Sequence, residues 1–223
     1  HDALPIYVAI VKKIFVMKKT NLKNYSLLMS VMLVFCHSAY SAIAIDRNRI
    51  IFHQGDGSLS LPVRNDNATK PYLAKSWLAD KNDSTAAPFM AMPALQRIDP
   101  KQSSFIRIRS LPSADLLPSD RESLYYFNVL EIPTVTQSTN VMQMALQTKV
   151  KFFYRPESLK DDKINFSMDK LSLLNEGAGK YKLVNASAFY INVTSITDNR
   201  EVKQVKAVTL PPFSDEMFPI SVN

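Results

Sequence analysis

From residue 42 onward the apolar and polar positions alternate with a period of two, in short runs broken by polar or proline-containing turns. Leu59, Leu61 and Val63 alternate with Ser58, Ser60 and Pro62, and Asn65-Asp66-Asn67 then supplies a turn. Residues 72–78, which carry the single Trp (Trp77), read as a further strand. In 104–109, Ile106 and Ile108 alternate with Phe105, Arg107 and Arg109. Residues 124–132 are rich in Tyr, Phe and Val, and 140–154 reads as a long strand that Arg155-Pro156 ends. No stretch of this region has the apolar period of a long amphipathic helix. Many short strands at this spacing predict an all-β protein built as a β-sandwich.

Proline and charge interrupt the strands at 156–163, which sets a boundary between a domain at 42–156 and a second at 157–223. Beyond it, 171–174, 180–185, 189–196 and 202–210 read as four more strands. An immunoglobulin-like sandwich takes about 100 residues and about seven strands. The 66 residues after Glu157 therefore predict a second domain short by roughly three strands, apparently truncated.

The segment before residue 42 reads differently. Met17 is followed by Lys18 and Lys19, and residues 26–35 (SLLMSVMLVF) form an apolar run too short for a permanent membrane span. Ala39 and Ser41 place small residues at the usual cleavage positions. The layout at 17–41 is that of a secretory signal peptide cut before Ala42, with residues 1–16 an upstream segment excluded from the fold. This implies export and no stable membrane insertion. Cys36, the only cysteine, lies in that segment, so the mature chain would form no disulfide.

The formal net charge of +7 shrinks once this segment is removed. Five Lys and one Asp precede residue 42, leaving 22 Lys+Arg against 19 Asp+Glu, a net of +3. That balance gives no basic face for nucleic acid. Candidate chemistry is equally sparse. His53 is the one histidine of the mature chain, with no ligand or triad spacing around it, so no catalytic residue, metal site or cofactor is expected. Gly55-Asp56-Gly57 reads as a hairpin turn rather than a phosphate loop. The sequons at Asn67, Asn185 and Asn192 read as incidental in an exported bacterial-type protein.

One stripe stands out. Met142, Met144 and Leu146 fall on one face of a strand, alternating with Gln143, Ala145 and Gln147. On the residues alone it serves either the protein's own core, the commoner use of such a stripe, or an edge that a partner covers.

Residues 117–133 (LPSDRESLYYFNVLEIP) closely match the signature of the periplasmic pilus-assembly chaperones of the chaperone–usher pathway. Three further blocks agree in order and spacing: 45–52 (IDRNRIIF), 65–78 (NDNATKPYLAKSWL) and 145–156 (ALQTKVKFFYRP). The chain thus resembles that family over all of 42–156 and more weakly beyond. The resemblance implies two immunoglobulin-like sandwiches in a boomerang arrangement, and no enzymatic activity. It also implies binding of pilin subunits and delivery to an outer-membrane usher. Met142, Met144 and Leu146 would then belong to a donated edge strand, where flexible Met suits several different subunits. Arg49 and Lys151 would anchor the subunit's C-terminal carboxylate, with Arg47 and Lys149 as near neighbours of the opposite expectation. Glu122 and Arg155 would form an interdomain salt bridge whose usual partner in the second domain lies outside this chain. Self-association through the free edge is a further expectation. The rival readings are an exported immunoglobulin-like adhesin or fibre protein, an exported hydrolase on a β-scaffold, and a truncated non-functional chaperone.

Overall fold

The computed structural model describes residues 42–134, 143–159, 170–177, 180–198 and 201–219. The protein is all-β, and its strands group into two sandwiches, the first packed between two sheets. Strands β1 (Ile43–Ile45), β3 (Ser58–Asn65), β7 (Ser103–Ser110) and β5 (Phe89–Met92) make one sheet in the order β1-β3-β7-β5. Strands β2 (Arg49–His53), β9 (Leu146–Arg155), β8 (Ser123–Pro133), β4 (Tyr72–Ala79) and β6 (Leu95–Ile98) make the other, in the order β2-β9-β8-β4-β6. Alternation decides which side chains meet between them. Leu61 and Val63 of β3 and Ile106 and Ile108 of β7 are fully buried, while their neighbours Ser60, Arg107 and Arg109 face outward.

Aromatic residues hold the two sheets together. The Phe89 ring lies 4.8 Å from Phe152, 5.6 Å from Phe52 and 5.3 Å from Tyr125, in edge or tilted contacts. Such pairs add about 0.5–1.5 kcal/mol each beyond area burial. A buried polar corner closes the end of the sandwich. The Asn65 side chain is wholly buried, donates to the carbonyls of Lys70 (2.9 Å) and Ile98 (3.0 Å), and accepts from the Asn67 amide (2.9 Å). The turn at 65–67 is therefore anchored in the core rather than standing free.

Residues 54–57 depart from the hairpin expected of them. They join β2 to β3, which lie in different sheets, so the glycines turn an inter-sheet corner. Gly55 and Gly57 have φ of 90° and 63°, conformations that a β-carbon disfavours. The reason is the parallel pairing of β2 with β9, register Arg49↔Lys151 to His53↔Arg155, which draws β2 out of the sheet that holds β3.

The second sandwich has a three-stranded sheet, β10 (Leu171–Gly177), β11 (Lys180–Asn185) and β14 (Ser214–Pro219), in the order β10-β11-β14. Facing it is a ribbon of β12 (Ile191–Asp198) and β13 (Glu201–Leu210). This makes five strands among the described residues where the pattern predicted four. Strand β14 escapes the pattern because its sequence, SDEMFP, is polar and proline-ended; pairing with β11 from Asn185↔Ser214 to Lys180↔Pro219 makes it a strand. Asn185 repeats the device of Asn65: it is wholly buried and donates to the carbonyls of Phe189 (2.9 Å) and Pro211 (2.7 Å).

Candidate binding cleft and open strand edge

Strand β9 organises the site because its two faces do different work. Val150, Phe152 and Tyr154 point into the first sandwich and are buried in its core. Lys151, Phe153 and Arg155, on the opposite face, meet the second sandwich. Phe153 packs 5.8 Å from the Tyr190 ring, and the Arg155 guanidinium lies 5.1 Å from the centre of Phe189.

The cations predicted at the cleft come together. In the parallel register Arg49 sits directly opposite Lys151, which places both on one face of neighbouring strands. Lys151 Nζ donates to Asn192 Oδ1 and Thr209 Oγ1 of the second sandwich. Thr209 Oγ1 in turn donates to Asn192 Oδ1 at 2.9 Å. Burial, and then the charge of Arg49, hold the Lys151 ammonium below its ordinary pKa. Two converging cations without an acid between them form an anion site. Beside it lies a cleft of about 130 Å³ lined by Arg49, Ile51, Phe153, Tyr190 and Asn192 together with the Glu122–Arg155 pair, whose carboxylate is taken up by Arg155 and the Tyr190 amide.

Their sequence neighbours are otherwise engaged. Arg47 precedes β2 and is paired with Asp46 at 2.8 Å. Lys149 is paired with Asp83 at 2.5 Å and lies 4.5 Å over the Tyr126 ring. Among the described residues no ion pair takes up Arg49 or Lys151.

Glu122 and Arg155 also meet, as members of the same sandwich. Arg155 Nη2 donates to Glu122 Oε1 at 2.8 Å and Nε at 3.1 Å, with both side chains buried. Among the described residues, Glu122 meets the second domain through that domain's backbone. Glu122 Oε2 accepts from the Tyr190 amide (3.0 Å), and the Glu122 amide donates to the Ala188 carbonyl (2.9 Å). One carboxylate thus satisfies a guanidinium with one oxygen and the neighbouring sandwich with the other. That arrangement fixes geometry more firmly than it adds stability.

The stripe ahead of β9 is divided. Met142 lies outside the described residues. Met144 is 66% exposed and precedes the strand, which begins at Leu146 rather than at the predicted 140. Leu146 is 43% exposed, although it shares strand parity with the buried Val150 and Phe152. The described part of the stripe, Met144 and Leu146, is uncovered, and the same face becomes core only at Val150 and beyond. Coverage by neighbours explains the change. Strand β8 pairs with β9 over Leu146–Tyr154, but β2 reaches only Lys151–Arg155. From Leu146 to Val150 one edge of β9 has no ladder partner among the described residues.

The sequence reading did not select Asn192, Thr209 or Tyr190. Asn192 was visible only as part of an incidental sequon, and nothing in strand periodicity singles out a polar residue as facing another domain.

Comparison with known proteins identifies the family. Residues 42–160 match the family described as pili and flagellar-assembly chaperone, PapD N-terminal domain, and residues 162–223 match pili assembly chaperone PapD, C-terminal domain. The chain is 35% identical over 195 residues to the chaperone protein PapD of Escherichia coli, covering 85% of this chain and 81% of PapD. The solved E. coli chaperone DraB superposes with a TM-score of 0.71 at 27% identity, over 81% of this chain and 85% of DraB. The Salmonella enterica chaperone SafB, solved in complex with the SafA pilin, gives 0.69 at 26% identity, over 82% and 86% of the two chains. This chain belongs to the PapD-like family of pilus-assembly chaperones, and its two β domains are immunoglobulin-like sandwiches of that family.

Proposed function

We propose that this chaperone captures a pilin subunit by pairing the free edge of β9 with it and anchoring the subunit's C-terminal carboxylate between Arg49 and Lys151. The observation that carries the reading is the bare edge from Leu146 to Val150, running straight into the anion site at Lys151. A strand laid along that edge would complete the ladder by strand addition, the mode known from chaperone–pilin donor-strand complementation. Its last residue would end beside two cations. Met144 and Leu146, with Met142, would enter the subunit's apolar groove, and burying three such side chains contributes roughly 4–9 kcal/mol before ordering costs. SafB was solved with a pilin, which supports the same class of partner for this chain.

The remaining parts of the reading follow from it. The protein works in the periplasm after loss of residues 17–41. It delivers its subunit to an outer-membrane usher, and binding rather than catalysis is its task. Residues 42–156 supply the strand edge and both cations, while 157–223 close the cleft from the other side. The test is co-expression of the full chain with a candidate pilin in the periplasm, followed by pull-down. Wild type is expected to recover and stabilise the pilin, and Arg49→Ala or Lys151→Ala to lose it. Recovery of the pilin undiminished by both substitutions would sink the carboxylate anchor.

A further inference from the structure

The second sandwich contributes to the anion site, although neither of its residues there carries charge. An ammonium has three N–H donors. Lys151 spends two of them on Asn192 Oδ1 and Thr209 Oγ1, which sit on adjacent strands at paired positions, Asn192↔Thr209. The Thr209 hydroxyl donates onward to Asn192 Oδ1, so the two acceptors hold each other in place before any ligand arrives. With two donors so fixed, the third has a defined direction, on the face of β9 that it shares with Arg49.

We infer that Asn192 and Thr209 are positioning residues that aim the Lys151 ammonium at the bound carboxylate, making the anchor a joint product of both sandwiches. This deepens the carboxylate-anchor reading and rests on it. The consequence is specific. A lysine on a four-carbon stem is a movable point charge, and without these acceptors it would swing toward solvent, away from Arg49. The acceptors also favour the charged form against the burial and the Arg49 charge that disfavour it. Around Lys151 the titratable and charged groups are Arg49 on β2, Lys149 two residues back on β9, Tyr126 opposite it on β8, Tyr190 ahead of β12, and the Glu122–Arg155 pair that lines the same cleft. The one acid among them, Glu122, is engaged by Arg155 through one oxygen and by the Tyr190 amide through the other, which leaves Asn192 and Thr209 as the acceptors of Lys151.

The experiment titrates the full chain with one labelled peptide of alternating apolar and polar residues, carrying either a free C-terminal carboxylate or a C-terminal amide. The ratio of the two affinities isolates the anchor from strand pairing. Wild type should prefer the carboxylate. Asn192→Ala and Thr209→Val should each reduce that preference by about tenfold, the effect of one charge-assisted hydrogen bond. Thr209→Ser, which keeps the hydroxyl, should restore it. The alkaline limb of carboxylate binding should also move to lower pH in Asn192→Ala and Thr209→Val, because a lysine with fewer acceptors loses its proton sooner; a purely architectural role for these residues would leave that limb in place. Unchanged preference and an unmoved limb in both variants, with Arg49→Ala and Lys151→Ala still abolishing the preference, would overturn the positioning role and leave the anchor standing. No carboxylate preference in wild type would overturn both.

Discussion

At the residue scale the informative side chains are those whose neighbours leave a charge under-compensated. Lys151 is one. Its ammonium is depressed by burial first and by Arg49 second, so the folded state holds that proton less tightly than the unfolded chain. The destabilisation is complete below the folded pKa and is relieved as pH rises from there to the unfolded value near 10.5. Replacing Lys151 with Met removes the penalty along with the anion site. Denaturant titrations of Lys151→Met and wild type across neutral to alkaline pH should show wild type gaining on the variant as pH climbs through that window. A stability difference that ignores pH would refute the assignment. Arg155 behaves in the opposite way, since its charge is fully met by Glu122 and stacked on Phe189. Arg155→Ala leaves the Glu122 carboxylate buried without its cation and should cost about 3–5 kcal/mol in urea unfolding; a loss below 1 kcal/mol would mean that water replaces the guanidinium freely. Family spacing was enough to select Glu122 and Arg155 from sequence. That the pair reaches the second sandwich through the Tyr190 amide depends on backbone geometry, which side-chain patterns do not encode.

At the element scale one strand carries two environments, and substitution should separate them. Phe152 is wholly buried, within 4.8 Å of Phe89 and 5.8 Å of Phe52. Phe152→Ala should lower unfolding free energy by about 3–5 kcal/mol. Leu146, on the same face six residues earlier, is 43% exposed. Leu146→Asp should leave the unfolding midpoint within about 0.5 kcal/mol of wild type while cutting pilin recovery sharply in the co-expression assay. A large stability loss at Leu146 would show that the protein itself covers the stripe. This distinction also marks what the pattern of residues could give. Alternation read from sequence located β3, β4, β7 and β8 closely, because Leu61, Val63, Ile106, Ile108 and Phe127 lie inside one well-packed core. It could not tell Leu146 from Val150, since parity is identical and only the reach of β2 separates them. It passed over β14, whose polar sequence becomes a strand through its neighbour β11, and it took the β2–β3 corner for a hairpin because the parallel partner of β2 lies 102 residues further along.

At the scale of the whole molecule the two sandwiches are unequally filled among the described residues, and this bears on how they hold the cleft. Nineteen buried residues cluster in the first core, against Leu183, Ile191 and Leu210 in the second among the described residues. Leu173 and Leu174 of β10 are 38% and 47% exposed. Hydrophobic stabilisation follows apolar area removed from water, so the second sandwich should open at lower free energy than the first. Its docking then relies on contacts supplied by the first: the Glu122 carboxylate on the Tyr190 amide, the Glu122 amide on the Ala188 carbonyl, and Arg121 over Phe213 at 4.9 Å. Native-state hydrogen exchange on the full chain gives the test. Amides of β11 and β12 should exchange well before those of β7 and β8. Glu122→Ala should accelerate the β12 amides in particular, because Tyr190 ahead of that strand loses its acceptor. If β8 and β12 exchange together, at one common free energy and equally in the variant, the two sandwiches open as a single cooperative unit, and the second needs no support from the first beyond its own core.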